Sequence, residues 1–352
     1  MKQAGSRINC IRPGLLTLLL LLSACDRPAD PVGGGTPSAT AFGPQQLGIV
    51  VNDADLSSRR IAEYYVNRRA IPAANVIHVS FGPGKKVMRP EDFRILKDEV
   101  DRQTPAAVQA YALTWTVPYR VGCMSITTAF AAGFDADFCA LGCEPTRQSP
   151  YFNSSSRRPY DDFGWRPAIM LAGMQVSDVE ALIDRGVAAD ASNPSGTAYL
   201  LSTSDRQRNT RARFYSGIKL LQSDRFRIEI ISSNDLRRRD DVMFYFTGLV
   251  RVAGIDTNRF LPGAIADHLT SAGGRLTDSR QMSSLRWLEA GATGSYGTVA
   301  EPCNFVDKFP RPNLVIDAYL NGETLIESYW KSVAWPGQGV FIGEPLATPF
   351  LH

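Results

Sequence analysis

From Leu47 onward, short runs rich in β-branched and aromatic residues alternate with stretches of helical period, and this alternation restricts the fold more than any other feature of the chain. The pattern predicts strands over residues 47–51, 76–80, 108–115, 168–172, 198–202, 227–231, 242–246, 292–296 and 340–342. Helices are predicted from a cap at Ser57 or Ser58, which would be followed by Ile61, Tyr64, Tyr65 and Arg68 at helical spacing. Further helices are predicted over 91–102, 177–189, 211–221, 262–269, 283–290 and 323–333. Strands regularly separated by helices imply an α/β domain with a mainly parallel sheet covered on both faces. Right-handed crossovers then place functional loops beyond the carboxyl ends of the strands. The least regular stretch, 122–166, holds three cysteines and is expected to be an insertion or lid on an α/β body spanning 47–352.

The first 24 residues have the layout of an exported protein's signal peptide: Lys2, Arg7 and Arg12, then a leucine-rich run at 15–22, then Ser23-Ala24-Cys25. That run is too short for a stable membrane span. Leu22-Ser23-Ala24-Cys25 resembles the lipobox of bacterial lipoproteins, in which the cysteine is acylated and becomes the anchored N-terminus. Acyl chains on Cys25 would hold the protein to a membrane facing the periplasm. Asp26 resembles an inner-membrane retention mark of enteric bacteria, and which membrane is used stays open. Residues 25–46, rich in proline and glycine, read as a tether.

Removing the signal takes three of the 38 basic residues and none of the 35 acidic ones, so the mature chain has no net charge. A dedicated nucleic-acid binder needs a cationic excess, and nucleic acid is not expected as a partner. The expected partners are the membrane, through the lipid, and an envelope protein or peptide.

Cys123, Cys139, Cys143 and Cys303 would meet an oxidising compartment after export, which suggests two disulfides with three possible pairings. The favoured pairing is Cys139 with Cys143 and Cys123 with Cys303. A zinc site built from the same four residues and a catalytic thiol at Cys303 are the alternatives. The adopted reading has no metal and no cofactor.

Gly82-Pro83-Gly84-Lys85-Lys86 lacks the earlier glycine and the hydroxyl of a phosphate loop and reads as a turn. The only histidines are His78, His268 and His352, which leaves little room for imidazole catalysis. Gly294-Ser295-Tyr296-Gly297 is one residue from a nucleophile elbow, but only His352 follows it as a partner. Its other reading is a glycine-rich turn that permits close backbone packing. Three polar clusters fall where functional loops are expected. Asp53 and Asp55 follow the first strand, Asp205 and Arg206 follow the fifth, and Glu301 to Asn304 follow the eighth. Asp beside Arg can bind a ligand bidentately or brace its own loop.

Longer phrases carry a resemblance. Val50-Val51-Asn52-Asp53-Ala54-Asp55, Ile183-Asp184-Arg185-Gly186, Gly291-Ala292-Thr293-Gly294-Ser295-Tyr296-Gly297 and Gly343-Glu344-Pro345-Leu346 resemble an uncharacterised family of exported bacterial proteins. That family is found in species carrying exosortase, and the resemblance implies a role in export or surface assembly. A fainter one is to the caspase and gingipain type of cysteine peptidase, which implies a three-layer α/β sandwich. Thr247-Gly248 stands where such enzymes have His-Gly, and Gly294-Ser295 where they have the thiol, so both catalytic positions are altered. His268, expected on a helix, and Cys303 would form a displaced catalytic pair, and Ser295, which has no evident base, is the other candidate nucleophile. The leading expectation is a lipid-anchored binding or accessory module, and the rival is an envelope hydrolase.

Overall fold

The computed structural model of the chain describes residues 42–140, 143–218, 221–223 and 226–351. The expected signal peptide over 1–24, Cys25, most of the expected tether and His352 lie outside the described residues. In chain order the elements are β1 (Leu47–Asn52), α1 (Leu56–Arg69), β2 (Val76–Val79), β3 (Val87–Met88), α2 (Pro90–Gln103), β4 (Ala110–Leu113), β5 (Arg120–Val121), β6 (Met124–Ser125) and α3 (Ile126–Ala132). They continue with α4 (Pro159–Phe163), β7 (Ala168–Met170), α5 (Val176–Ala189), β8 (Gly196–Ser202), α6 (Tyr215–Ile218), β9 (Phe226–Ser232), β10 (Val242–Thr247) and β11 (Phe260–His268). The chain closes with α7 (Leu285–Glu289), β12 (Gly294–Thr298), α8 (Pro312–Leu320), α9 (Leu325–Ser332) and β13 (Gly339–Gly343).

The main sheet has ten strands in the order β2-β1-β4-β7-β13-β12-β11-β10-β8-β9. Every neighbouring pair is parallel except β12 with β13, which run antiparallel with Gly294 opposite Gly343 and Thr298 opposite Gly339. The sheet is therefore two parallel halves pointing in opposite directions. Each half begins with the same winding: β2-β1-β4-β7 on one side, β9-β8-β10-β11 on the other. Their carboxyl ends point in opposite directions.

Both faces are covered. On one face Ile49, Ala112, Phe244, Ile265 and Phe341 pack with Ile61 and Tyr65 of α1, Ile316 of α8 and Trp330 of α9. On the other, Val50, Leu113 and Ile342 pack with Phe93 of α2 and Phe130 of α3, while Tyr245 and Ala266 pack with Trp287 of α7. The glycines of β12 serve this packing. A Cβ at Gly294 would come within 2.7 Å of Leu325 Cδ1, so its absence lets α9 lie directly on the sheet.

Several expectations are corrected. Residues 262–269 form the greater part of β11, not a helix, because Ala264, Ile265, Ala266 and Asp267 are buried on both faces and follow no amphipathic period. The segment 122–166 is not a lid: Ile126, Ala129 and Phe130 of α3 are fully buried in the core. The tether ends earlier than expected, since Phe42 is buried and Asn75 Nδ2 donates to the carbonyls of Pro44, Gln45 and Leu47. Helix α1 is capped by Asp55, whose Oδ1 accepts from Ser57 N at 2.9 Å.

The disulfides pair Cys123 with Cys139 and Cys143 with Cys303, with Cα separations of 5.5 and 5.2 Å. This overturns the expected pairing of Cys139 with Cys143 and Cys123 with Cys303. Cys139 ends a short 3-10 turn at 136–138 that brings it beside Cys123, which leaves Cys143 to reach the turn after β12. Four paired sulfurs supply no thiolate for zinc. Among the described residues no group of three or more His, Cys, Asp or Glu side chains is placed to hold a metal ion, and no helix is long and apolar enough to cross a membrane.

Candidate functional site

Where a parallel sheet is wound outward from its first strand in both directions, a crevice opens at the carboxyl ends of the two strands that diverge. In the first half these are β1 and β4, and a cleft of about 230 Å³ lies there. Asp55, Ser57 and Ile61 at the start of α1 form one wall, Trp115, Thr116 and Val117 after β4 form the floor, and Met174 and Gln175 before α5 form the other wall. Thr277 reaches it from the loop after β11.

The cleft is braced from behind. Thr116 Oγ1 donates to Gly173 O at 2.7 Å and accepts from Gly173 N at 3.1 Å, which locks the loops after β4 and β7 together. Trp115 Nε1 donates to Pro118 O at 3.2 Å. Beneath, the Ser58 and Thr114 hydroxyls bond to each other at 2.7 Å, and Thr114 Oγ1 donates to Val50 O. Gln175 N donates to Asp178 Oδ2 at 2.9 Å, and the Gln175 side chain is exposed. At the rim stands Met174, 54% exposed. The result is a fixed, mixed polar and apolar groove.

The corresponding crevice of the second half, between β8 and β10, is filled by its own chain. Thr203 Oγ1 donates to Gly248 O at 2.7 Å and Thr203 N to Asn209 Oδ1 at 2.9 Å, and a side chain at 248 would collide with the Arg208 backbone.

The catalytic candidates do not assemble. Cys303 is in a disulfide. His268 ends β11, buried: its Nδ1 accepts from Trp287 Nε1 at 3.0 Å, so Nε2 carries the proton toward Met282 O at 3.1 Å. Burial pulls its imidazole down to about 3, and neither nitrogen faces a nucleophile. Ser295 lies inside β12, fully buried, with its hydroxyl unbonded, so the elbow reading fails because the residue is mid-strand. The strand after β10 is β11, so Ser295 also does not occupy the position expected for a thiol. A nucleophile needs a base within hydrogen-bond reach, and none of these three residues has one.

Of the ligand candidates, only Asp55 lines the cleft. Asp53 is exposed and its Oδ1 lies 2.9 Å from His78 Nδ1. Asp205 braces its loop by accepting from Arg208 N and Nη1 at 3.2 and 3.0 Å, and the Arg206 side chain has no partner among the described residues. The sequence reading missed Trp115, Thr116, Met174 and Gln175. The signal available was their position, at or shortly beyond the carboxyl ends of two predicted strands.

In the second half a buried ion pair joins the segment after β8 to β11: Arg211 Nη2 lies 2.6 Å from Asp267 Oδ1, and the same guanidinium donates to Thr247 O at 2.7 Å. Burial pushes the Asp267 carboxyl up, against the pull of Arg211. Its enclosure makes it a packing feature. No family model, curated protein or solved structure matches the chain.

Proposed function

We propose that this chain is a lipid-anchored binding module of the bacterial cell envelope, facing the periplasm, whose cleft beyond β1, β4 and β7 receives an extended segment of an envelope protein. The observation that carries the reading is the cleft itself: a braced groove at a divergence point, with the exposed side chains of Met174 and Gln175 along one wall. An amide group matches peptide backbone, and an exposed methionine matches an apolar side chain. The resemblance to a family found alongside exosortase supports a place in export or surface assembly. The parallel order β9-β8-β10-β11 supports a caspase-like ancestry for the second half, with its catalytic positions given over to packing.

The hydrolase alternative has no arrangement in its favour, since Cys303 is bonded to Cys143 and His268 is spent on Trp287 and Met282. The test is a peptide array probed with the mature, lipidated protein. Binding that is lost in Met174→Asp and weakened in Gln175→Ala supports the reading. Binding indifferent to both changes, or cleavage of the bound peptides, overturns it.

A further inference from the structure

We propose that the crevice between the loops following β10 and β11 is a second binding site, for an oxyanion, carboxylate or phosphate, carried on an apolar body. The crevice holds about 500 Å³ and is lined by Arg251, Val252, Gln281, Met282 and Arg286 among others. It lies at the carboxyl ends of the second half-sheet, away from the peptide cleft's strands, and it does not depend on that reading.

Its frame is built before any ligand arrives. Met282 N donates to Val250 O at 2.9 Å, Val252 N reaches Met282 Sδ at 3.5 Å, and His268 Nε2 holds Met282 O from beneath. Gln281 Oε1 accepts from Thr270 Oγ1 at 2.7 Å and from Ala272 N at 2.8 Å. These two bonds fix the amide and leave its NH₂ without a partner among the described residues.

The charges are uneven. Arg286 is met by Asp256 at 3.3 Å and by Glu289. Arg251 is met by no carboxylate: its Nη2 donates to Arg280 O at 2.9 Å, and the Arg280 guanidinium itself has no partner among the described residues. The uncompensated Arg251 guanidinium beside a fixed amide donor suits an oxyanion, which a guanidinium binds through paired N–H donors. Val252 and Met282 supply the apolar wall for what the oxyanion is attached to.

The experiment uses the mature protein in phosphatidylcholine nanodiscs, titrated with hexyl phosphate, hexanoate and hexyltrimethylammonium. The two anions are expected to bind and the cation not to. Arg251→Gln alters an exposed side chain, and Gln281→Glu keeps the two accepted hydrogen bonds while replacing the donor with a carboxylate. Each should weaken anion binding by roughly tenfold, the worth of one charge-assisted hydrogen bond. If Gln281→Glu lowers the melting temperature, Arg251→Gln decides. Anionic lipid in the disc that competes with hexyl phosphate assigns the group to a lipid headgroup, and lack of competition assigns it to a soluble ligand; both support the site. Equal binding of cation and anions, no anion binding at millimolar concentration, or anion binding unchanged in Arg251→Gln overturns it.

Discussion

Arg69 holds Glu344 by two hydrogen bonds, from Nε to Oε1 at 3.0 Å and from Nη2 to Oε2 at 2.5 Å, and so ties the segment after β13 to the end of α1. Tyr65 OH adds a donor to Oε1 at 2.6 Å, Arg69 also pairs with Asp190, and Gly186 of α5 leaves the space that the Glu344 side chain fills. Glu344 is fully buried, so removing its partner strands a carboxylate in the core. Arg69→Met should cost about 3–5 kcal/mol. Gly186→Ala should destabilise as well, because its Cβ would overlap Glu344. Denaturant melts of the two variants check both, and a double variant Arg69→Met/Glu344→Gln should recover part of the loss.

The disulfides differ in what they enclose. Cys143 and Cys303 are 160 residues apart, Cys123 and Cys139 only 16. In the chain-entropy account the longer loop is worth about 5 kcal/mol and the shorter about 3 kcal/mol. Cys143→Ala/Cys303→Ala should therefore lower stability more than Cys123→Ala/Cys139→Ala in matched melts. A non-reducing peptide map should recover 123 linked to 139 and 143 linked to 303. A 123 to 303 linkage would be the contrary result.

Local pattern revealed nine of the ten strands of the main sheet because buried runs such as Val242–Thr247 are β-rich and short, and it passed over the two-residue strands β3, β5 and β6. It misread β11, where Gly263-Ala264-Ile265-Ala266 has helix-forming composition but is buried on both faces, a tertiary circumstance that composition does not encode. The reversal of direction at β12 and β13 was equally hidden, since strand polarity depends on how α8 and α9 return the chain, not on any residue in either strand. The cleft was half legible. Asp55 was found from its place after β1, whereas Trp115 was taken into the predicted strand 108–115, which in the structure ends at Leu113, and Thr116 was passed over just beyond it.

His268 gives the acid limb of stability a distinct signature. Its imidazole falls to about 3 in the fold against an ordinary 6.5, because burial disfavours the charged form. Between those values the unfolded chain binds the extra proton, so stability is intact above about 6.5 and declines as the pH falls, at about 1.4 kcal/mol per unit until about 3. His268→Gln should lose one proton's worth of that slope. Urea melts at several pH values between 4 and 6 measure it, and an unchanged slope would mean that the ring is not enclosed as described.

Lys308 is buried with its amine unbonded to any described hydrogen-bond partner, 5.0 Å from the Phe305 ring. Burial pulls its amine down to about 8 from the ordinary 10.5. Below pH 8 the folded chain must carry a poorly solvated ammonium, so Lys308→Met, which keeps the length and removes the charge, should raise stability by about 1–3 kcal/mol at pH 7. The penalty fades with alkali: from about 8 to 10.5 the native amine is neutral while the unfolded one still holds its proton, so the wild-type chain gains stability as the pH rises. The advantage of the methionine variant should therefore shrink over that interval. Melts at pH 7 and pH 10 compare the two chains, and an advantage that grows with pH would show that Lys308 is solvated and charged in the fold.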